Sequence, residues 1–232
     1  NPEEKNLLNQ ALILDREISA ETELTGNDNV FRDWRVWRFV FIYFSIQMSV
    51  YGILFYLPTK LALLLQTNVG LEVGYYSAIP WVCTLILLPI ITRYADRKAN
   101  WTKMAICMLS CAVFGIVSST LVTHLFGFLV FVSIAIVGFI VVQPIFWNIP
   151  TQYLSGRAIA IGTALIGSLG NLGGFVAPNL KNYLDSYWHN DIAGLLALAA
   201  VGCVGVILLC ALLFDQHKET QHPLPHVNDP AQ

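Results

Sequence analysis

Five stretches of this chain contain no Asp, Glu, Lys or Arg: residues 39–59, 73–92, 104–156, 158–180 and 192–214. A helix of about 20 residues, rising roughly 1.5 Å each, crosses the ~30 Å hydrocarbon layer of a bilayer. Four of the runs are one such helix long. The run 104–156 is long enough for two, with Thr123-His124-Leu125-Phe126-Gly127 as the tight turn between them. The pattern predicts an all-α membrane protein with six spans, near 37–58, 73–92, 102–123, 126–150, 157–179 and 191–214. Charged residues are 12% of the 232, against about 25% in soluble domains, so the composition fits lipid as solvent.

The charges that remain are sorted by side. Arg32, Arg35 and Arg38 precede the first span, Arg93, Arg97, Lys98 and Lys103 fill the second loop, Arg157 sits in the fourth, and Lys218 follows the last span. The opposite loops hold Lys60 and Lys181. By the positive-inside rule both termini are expected in the cytoplasm, with the protein in the cytoplasmic (inner) membrane. Residues 1–33 are polar and acidic. Asn1-Pro2-Glu3-Glu4 supplies a cap, a first-turn Pro and first-turn acids, which predicts a short amphipathic helix to about Ile18 and then a linker. Residues 34–215 form the six-span unit, and 216–232, with three prolines, read as a disordered cytoplasmic tail. The chain begins at Asn1 without Met, as a piece of something longer would. Its five cysteines fall inside apolar runs, as small hydrophobes do. No metal site, cofactor or nucleic-acid surface is expected.

Polar residues inside the spans are few and therefore informative. An amide left unpaired in hydrocarbon costs roughly 4–8 kcal/mol. Tyr43, Gln47 and Tyr51 recur at i, i+4 and i+8 in the first span, Gln143 and Trp147 at i, i+4 in the fourth with Asn148 beside them, and Ser168 and Asn171 at i, i+3 in the fifth. These amides either bond neighbouring helices, worth ~0.6–2 kcal/mol each, or face a wet cavity; the second makes all eight candidate substrate contacts. Gly170, Gly173 and Gly174 suit close helix packing. Pro80, Pro89, Pro144, Pro150 and Pro178 are expected to break or end helices near these sites.

Three stretches carry a family likeness. They are Asn1-Pro2-Glu3-Glu4-Lys5; Phe146-Trp147-Asn148-Ile149-Pro150 through Leu154-Ser155-Gly156-Arg157-Ala158; and Gly170-Asn171-Leu172-Gly173-Gly174-Phe175-Val176-Ala177-Pro178. With the six-span order they resemble the C-terminal half of a twelve-helix major facilitator superfamily transporter, within it the anion:cation symporter family of sugar-acid and organic-anion permeases. That family typically reads G-N-x-G-G-x-x-x-P at the third stretch. Its loop motif G-x-x-x-D-R-x-G-R-R is reduced here to Thr92 through Asn100, where Asp96 and Arg97 survive and both glycines are replaced. The resemblance implies a gating role for Asp96, Arg97 and Arg157, and a cavity role for Asn171. It also implies a partner half of six spans. No acid or base lies mid-span in this chain, so the carboxylate that titrates and the cation that meets an anion would belong to that other half.

The expected activity is proton-coupled alternating access that carries a small organic anion, a sugar acid first and an aromatic or dicarboxylic acid second. A non-transporting membrane scaffold is the alternative from another class. An enzyme is not expected: Gly167-Ser168-Leu169-Gly170 resembles a nucleophile turn, but no span holds a His to activate it.

Overall fold

A computed structural model describes residues 30–154, 157–189 and 192–221. Six long helices carry the architecture: α1 Trp34–Leu65, α2 Leu71–Lys98, α3 Trp101–Leu121, α4 Leu125–Trp147, α5 Arg157–Trp188 and α6 Ala193–Gln221. A 3-10 turn at Val30–Arg32 precedes α1, and a single helical turn, Pro150–Tyr153, stands between α4 and α5. Each of the six is long and apolar enough to cross a membrane. The expected helix before Ile18 lies outside the described residues.

Local chemistry sets the ends. Asp33 caps α1, accepting the Arg35 backbone N–H at 2.8 Å, and α1 stops where Gln66 turns left-handed at φ 52°. Glu72 opens α2 while Arg97 and Lys98 close it, the charge order that a helix dipole favours. The helices outrun the uncharged runs because charged residues at a span's end can continue a helix into the headgroup layer. Two expectations are corrected here. Helix α6 continues through 216–221, the first part of the 216–232 segment expected as a disordered tail; 222–232 lie outside the described residues. Pro80, Pro89, Pro144 and Pro178 also lie inside continuous helices and interrupt none of them. Neighbouring helices and hydroxyl or amide side chains can re-satisfy the backbone around a membrane proline. Only Pro150 starts a helical turn.

Helices α1 and α4 form the interior, with Phe39, Ile42, Ile46, Phe128, Phe139 and Phe146 fully buried. Helix α1 packs mainly on α5 and α6, and α4 on α3 and α2. Ser49 on α1 reaches the Leu198 carbonyl of α6 at 3.2 Å. An Arg38–Asp215 ion pair ties the start of α1 to the end of α6, so both ends of the described chain share one end of the bundle. At the other end Lys181 and Asp185 pair at 2.5 Å, and Asp185 also accepts the Gly194 N–H at the start of α6, 2.7 Å away. Most of α2 is exposed, apart from the side against α4.

Candidate functional site

The α1–α5 seam is built from α1's tyrosine–glutamine stripe and α5's glycines. A Cβ added at Gly170 would lie 2.4 Å from the Tyr43 ring, and one at Gly174 2.7 Å from the Tyr51 ring. At Gly173 it would meet α1's backbone itself, 2.6 Å from the Phe44 carbonyl oxygen and 2.9 Å from the Met48 nitrogen. Glycine at these positions is what lets the two backbones approach so closely. Between Gly170 and Gly173, Gln47 Nε2 donates to Asn171 Oδ1 across the seam at 2.5 Å.

This amide pair is asymmetric. Gln47 is 5% exposed, and its Oε1 is buried with no hydrogen-bond partner among the described residues. Asn171 is exposed. A buried acceptor without a donor costs about 1–3 kcal/mol, so the pair holds bonding capacity that the half-bundle does not use. One turn towards the charged end, the Tyr43 ring stacks on Phe146 at 5.3 Å and meets Trp147 at 5.0 Å. Trp147 in turn lies 3.7 Å from where a Gly167 Cβ would be. Helices α1, α4 and α5 thus converge on one patch with an aromatic floor and an amide edge.

Some sequence-predicted residues do not join the amide pair. Gln143 turns its Nε2 back to the Phe139 carbonyl of its own helix at 3.4 Å. Asn148 closes the end of α4: its Nδ2 bonds the Pro144 carbonyl at 3.1 Å, and its own carbonyl accepts from Gln152 at 2.7 Å. Ser168 Oγ bonds the Leu165 carbonyl at 3.2 Å and faces outward, as Asn171 does. Asp96 accepts the Trp101 indole N–H at 3.2 Å within its own loop. Arg97 is exposed, and the Arg157 side chain lies outside the described set. Two clefts, of about 490 and 460 Å³, open at the charged end on either side of Tyr153; Lys103 and Gln216 line one, Arg38 and Asp215 the other. The amide pair is in neither.

Sequence reasoning missed two features. Phe146, read only as part of a motif, is the stacking partner of Tyr43. The Lys181–Asp185 clasp was overlooked although its i, i+4 spacing was available as a signal.

A family model described as Major Facilitator Superfamily matches residues 4–178. The chain is 39% identical to the inner membrane transport protein RhmT of Escherichia coli (strain K12) over 210 residues, 90% of this chain and 48% of that protein. It is 31% identical to a quinolone resistance transporter of Acinetobacter baumannii, covering 89% of this chain and 47% of that protein. With a putative tartrate transporter of Agrobacterium vitis it shares 30% identity, over 82% of this chain and 42% of the other. The chain spans about half the length of the curated relatives it matches.

Proposed function

The chain belongs to the major facilitator superfamily, and from that premise we propose that it is the six-span half of a secondary active transporter for a small organic anion, specifically a sugar acid. The observation that carries the reading is the Gln47–Asn171 pair. Asn171, an exposed amide on a spanning helix anchored to the buried Gln47, suits a face turned to water and to a hydroxylated solute rather than to lipid. A relative named as a putative tartrate transporter agrees with a carrier of organic acids, and one named as an inner membrane transport protein with a membrane carrier. The candidate contacts are Gln47 and Asn171, flanked by Tyr43, Tyr51 and Trp147, with Gln143, Asn148 and Ser168 at greater remove.

The mechanism that fits is alternating access. This half-bundle rocks against a partner half around a site near the middle of the membrane, and its wall is a surface until that partner covers it. Amide and hydroxyl groups orient the solute; the carboxylate that binds a proton and the cation that meets the anion come from the partner. The charged end faces the cytoplasm, following the positive-inside rule, and Asp96, Arg97 and Arg157 take part in closing that side. A sugar acid fits better than an aromatic acid here, because the Tyr43 ring already stacks on Phe146.

The test is uptake of D-gluconate and L-tartrate by the complete transporter in proteoliposomes, with and without a protonophore. Uptake that collapses when the proton gradient is dissipated supports the reading. Absence of uptake for both acids, with the protein folded, favours a membrane scaffold.

A further inference from the structure

Asn171 bonds in the opposite sense to other amides on the spanning helices. Gln143, Asn148 and Asn179 each turn the amide nitrogen to a backbone carbonyl four residues back, at 3.4, 3.1 and 2.6 Å. Ser168 likewise spends its hydroxyl hydrogen on the Leu165 carbonyl at 3.2 Å. Helix carbonyls are within easy reach of such donors, and the habit leaves oxygen lone pairs as the capacity still to be used. Asn171 accepts instead: its Oδ1 takes the Gln47 Nε2 hydrogen at 2.5 Å. Its own Nδ2 carries two hydrogens and meets no acceptor among the described residues. The opposite orientation, with Asn171 donating to Gln47 Oε1, would bury the Gln47 NH2 without an acceptor, in place of one oxygen without a donor. Buried N–H groups go unpaired more rarely than buried carbonyl oxygens, which favours the orientation observed.

We infer that Asn171 is a hydrogen-bond donor to a hydroxyl oxygen of the solute, and that Gln47 is the positioning residue that keeps it a donor. Ser168 and Asn171 are both exposed. Ser168 has its oxygen left and suits a hydroxyl that donates, while Asn171 suits a neighbouring hydroxyl that accepts. The carboxylate is left to the partner half's cation, and the whole role rests on the transporter reading proposed above. Gln47 itself is 5% exposed and acts on the solute only through Asn171. Without the Gln47 N–H, the Asn171 NH2 turns back to the Gly167 carbonyl of its own helix, as Asn179 does to Phe175. The wall then offers an oxygen where it had offered hydrogens.

The test is displacement of radiolabelled D-gluconate or L-tartrate, whichever is transported, from the purified complete transporter as wild type, Asn171→Ala and Gln47→Met. The competitors are the same acid with each hydroxyl in turn replaced by hydrogen or by fluorine, which keeps lone pairs and has no hydrogen to give. In the wild type, at one hydroxyl, replacement by hydrogen should weaken binding about fivefold, the effect of one lost hydrogen bond, and replacement by fluorine no more than about twofold. In Asn171→Ala the two replacements should be equivalent at that position. They should also be equivalent in Gln47→Met, although Asn171 is still present. Gln47→Met should not lower Tm, because it removes a buried oxygen that lacks a donor. A pair that only packs would weaken all competitors alike and keep their order. The inference is overturned if fluorine is as poor as hydrogen at the hydroxyl that couples to Asn171, or if no hydroxyl couples to it while the acid is still transported. A Gln47→Met protein that keeps the preference for fluorine overturns the part given to Gln47. If neither acid is transported, the transporter reading falls and this role falls with it.

Discussion

Replacing Gly173 by Ala puts a methyl group where no side chain can yield. The added Cβ would sit 2.6 Å from the Phe44 carbonyl oxygen and 2.9 Å from the Met48 nitrogen, both backbone atoms of α1. A carbon approaches a carbonyl oxygen to about 3.3–3.6 Å, so α1 and α5 must separate locally by roughly 0.7–1 Å. A gap of that size forfeits about a quarter to a half of each van der Waals contact along the seam, and overpacking costs about 1–3 kcal/mol. Alanine's better helix propensity returns up to about 1 kcal/mol, so the net loss should be ~1–2 kcal/mol. For a chain of this size that is about 2–8 °C in Tm, at 2–4 °C per kcal/mol, and about half that in a protein of twice the length. Gly74→Ala is the internal control, because no heavy atom lies within 4 Å of its added Cβ. Thermal unfolding of the purified complete transporter in detergent reads both. Gly173→Ala should melt a few degrees below the wild type, and Gly74→Ala at or above it. A Gly173→Ala protein as stable as Gly74→Ala would refute the close approach of α1 and α5.

Asp185→Ala removes both the partner of Lys181 and the acceptor for the Gly194 N–H; it should cost about 1–2 kcal/mol, the range of a lost helix cap, seen as a lower Tm. The more exposed Arg38–Asp215 pair should matter less: Asp215→Asn is expected within about 1 kcal/mol of wild type, which a denaturation midpoint would check. Gln143→Ala should raise the KM for uptake more than it alters dependence on the proton gradient, and an unchanged KM would remove Gln143 from the site.

The six helices were legible because charge is so expensive in hydrocarbon that its absence marks each span. The glycines of 167–174 were legible as a packing surface for the same reason that they serve as one: small residues let two membrane helices approach closely. Helix ends were less legible, since Arg93, Arg97 and Lys98 extend α2 beyond the uncharged run instead of ending it. Prolines misled, because a span continues through a Pro when its surroundings compensate, as around Pro144 and Pro178. For the amides, the periodicity placed Gln47 on Tyr43's face and Ser168 near Asn171's. It carried no information on which helices would meet. Gln47 finding Asn171 across 124 positions, while Gln143 turns to its own backbone, is a product of how α1, α4 and α5 cross. Local spacing cannot encode that.

A carrier role for this half-bundle requires the α1–α5 amide pair to touch solute. The most direct measurement is D-gluconate and L-tartrate uptake by proteoliposomes holding the complete transporter as wild type, Asn171→Ala, Gln47→Ala and the double variant, normalised to the amount of protein in the membrane. If the pair acts as one unit, each single change should cut uptake at least about tenfold and the double change should cost little more than either. Uptake that survives Asn171→Ala undiminished would make the pair a packing contact and nothing else.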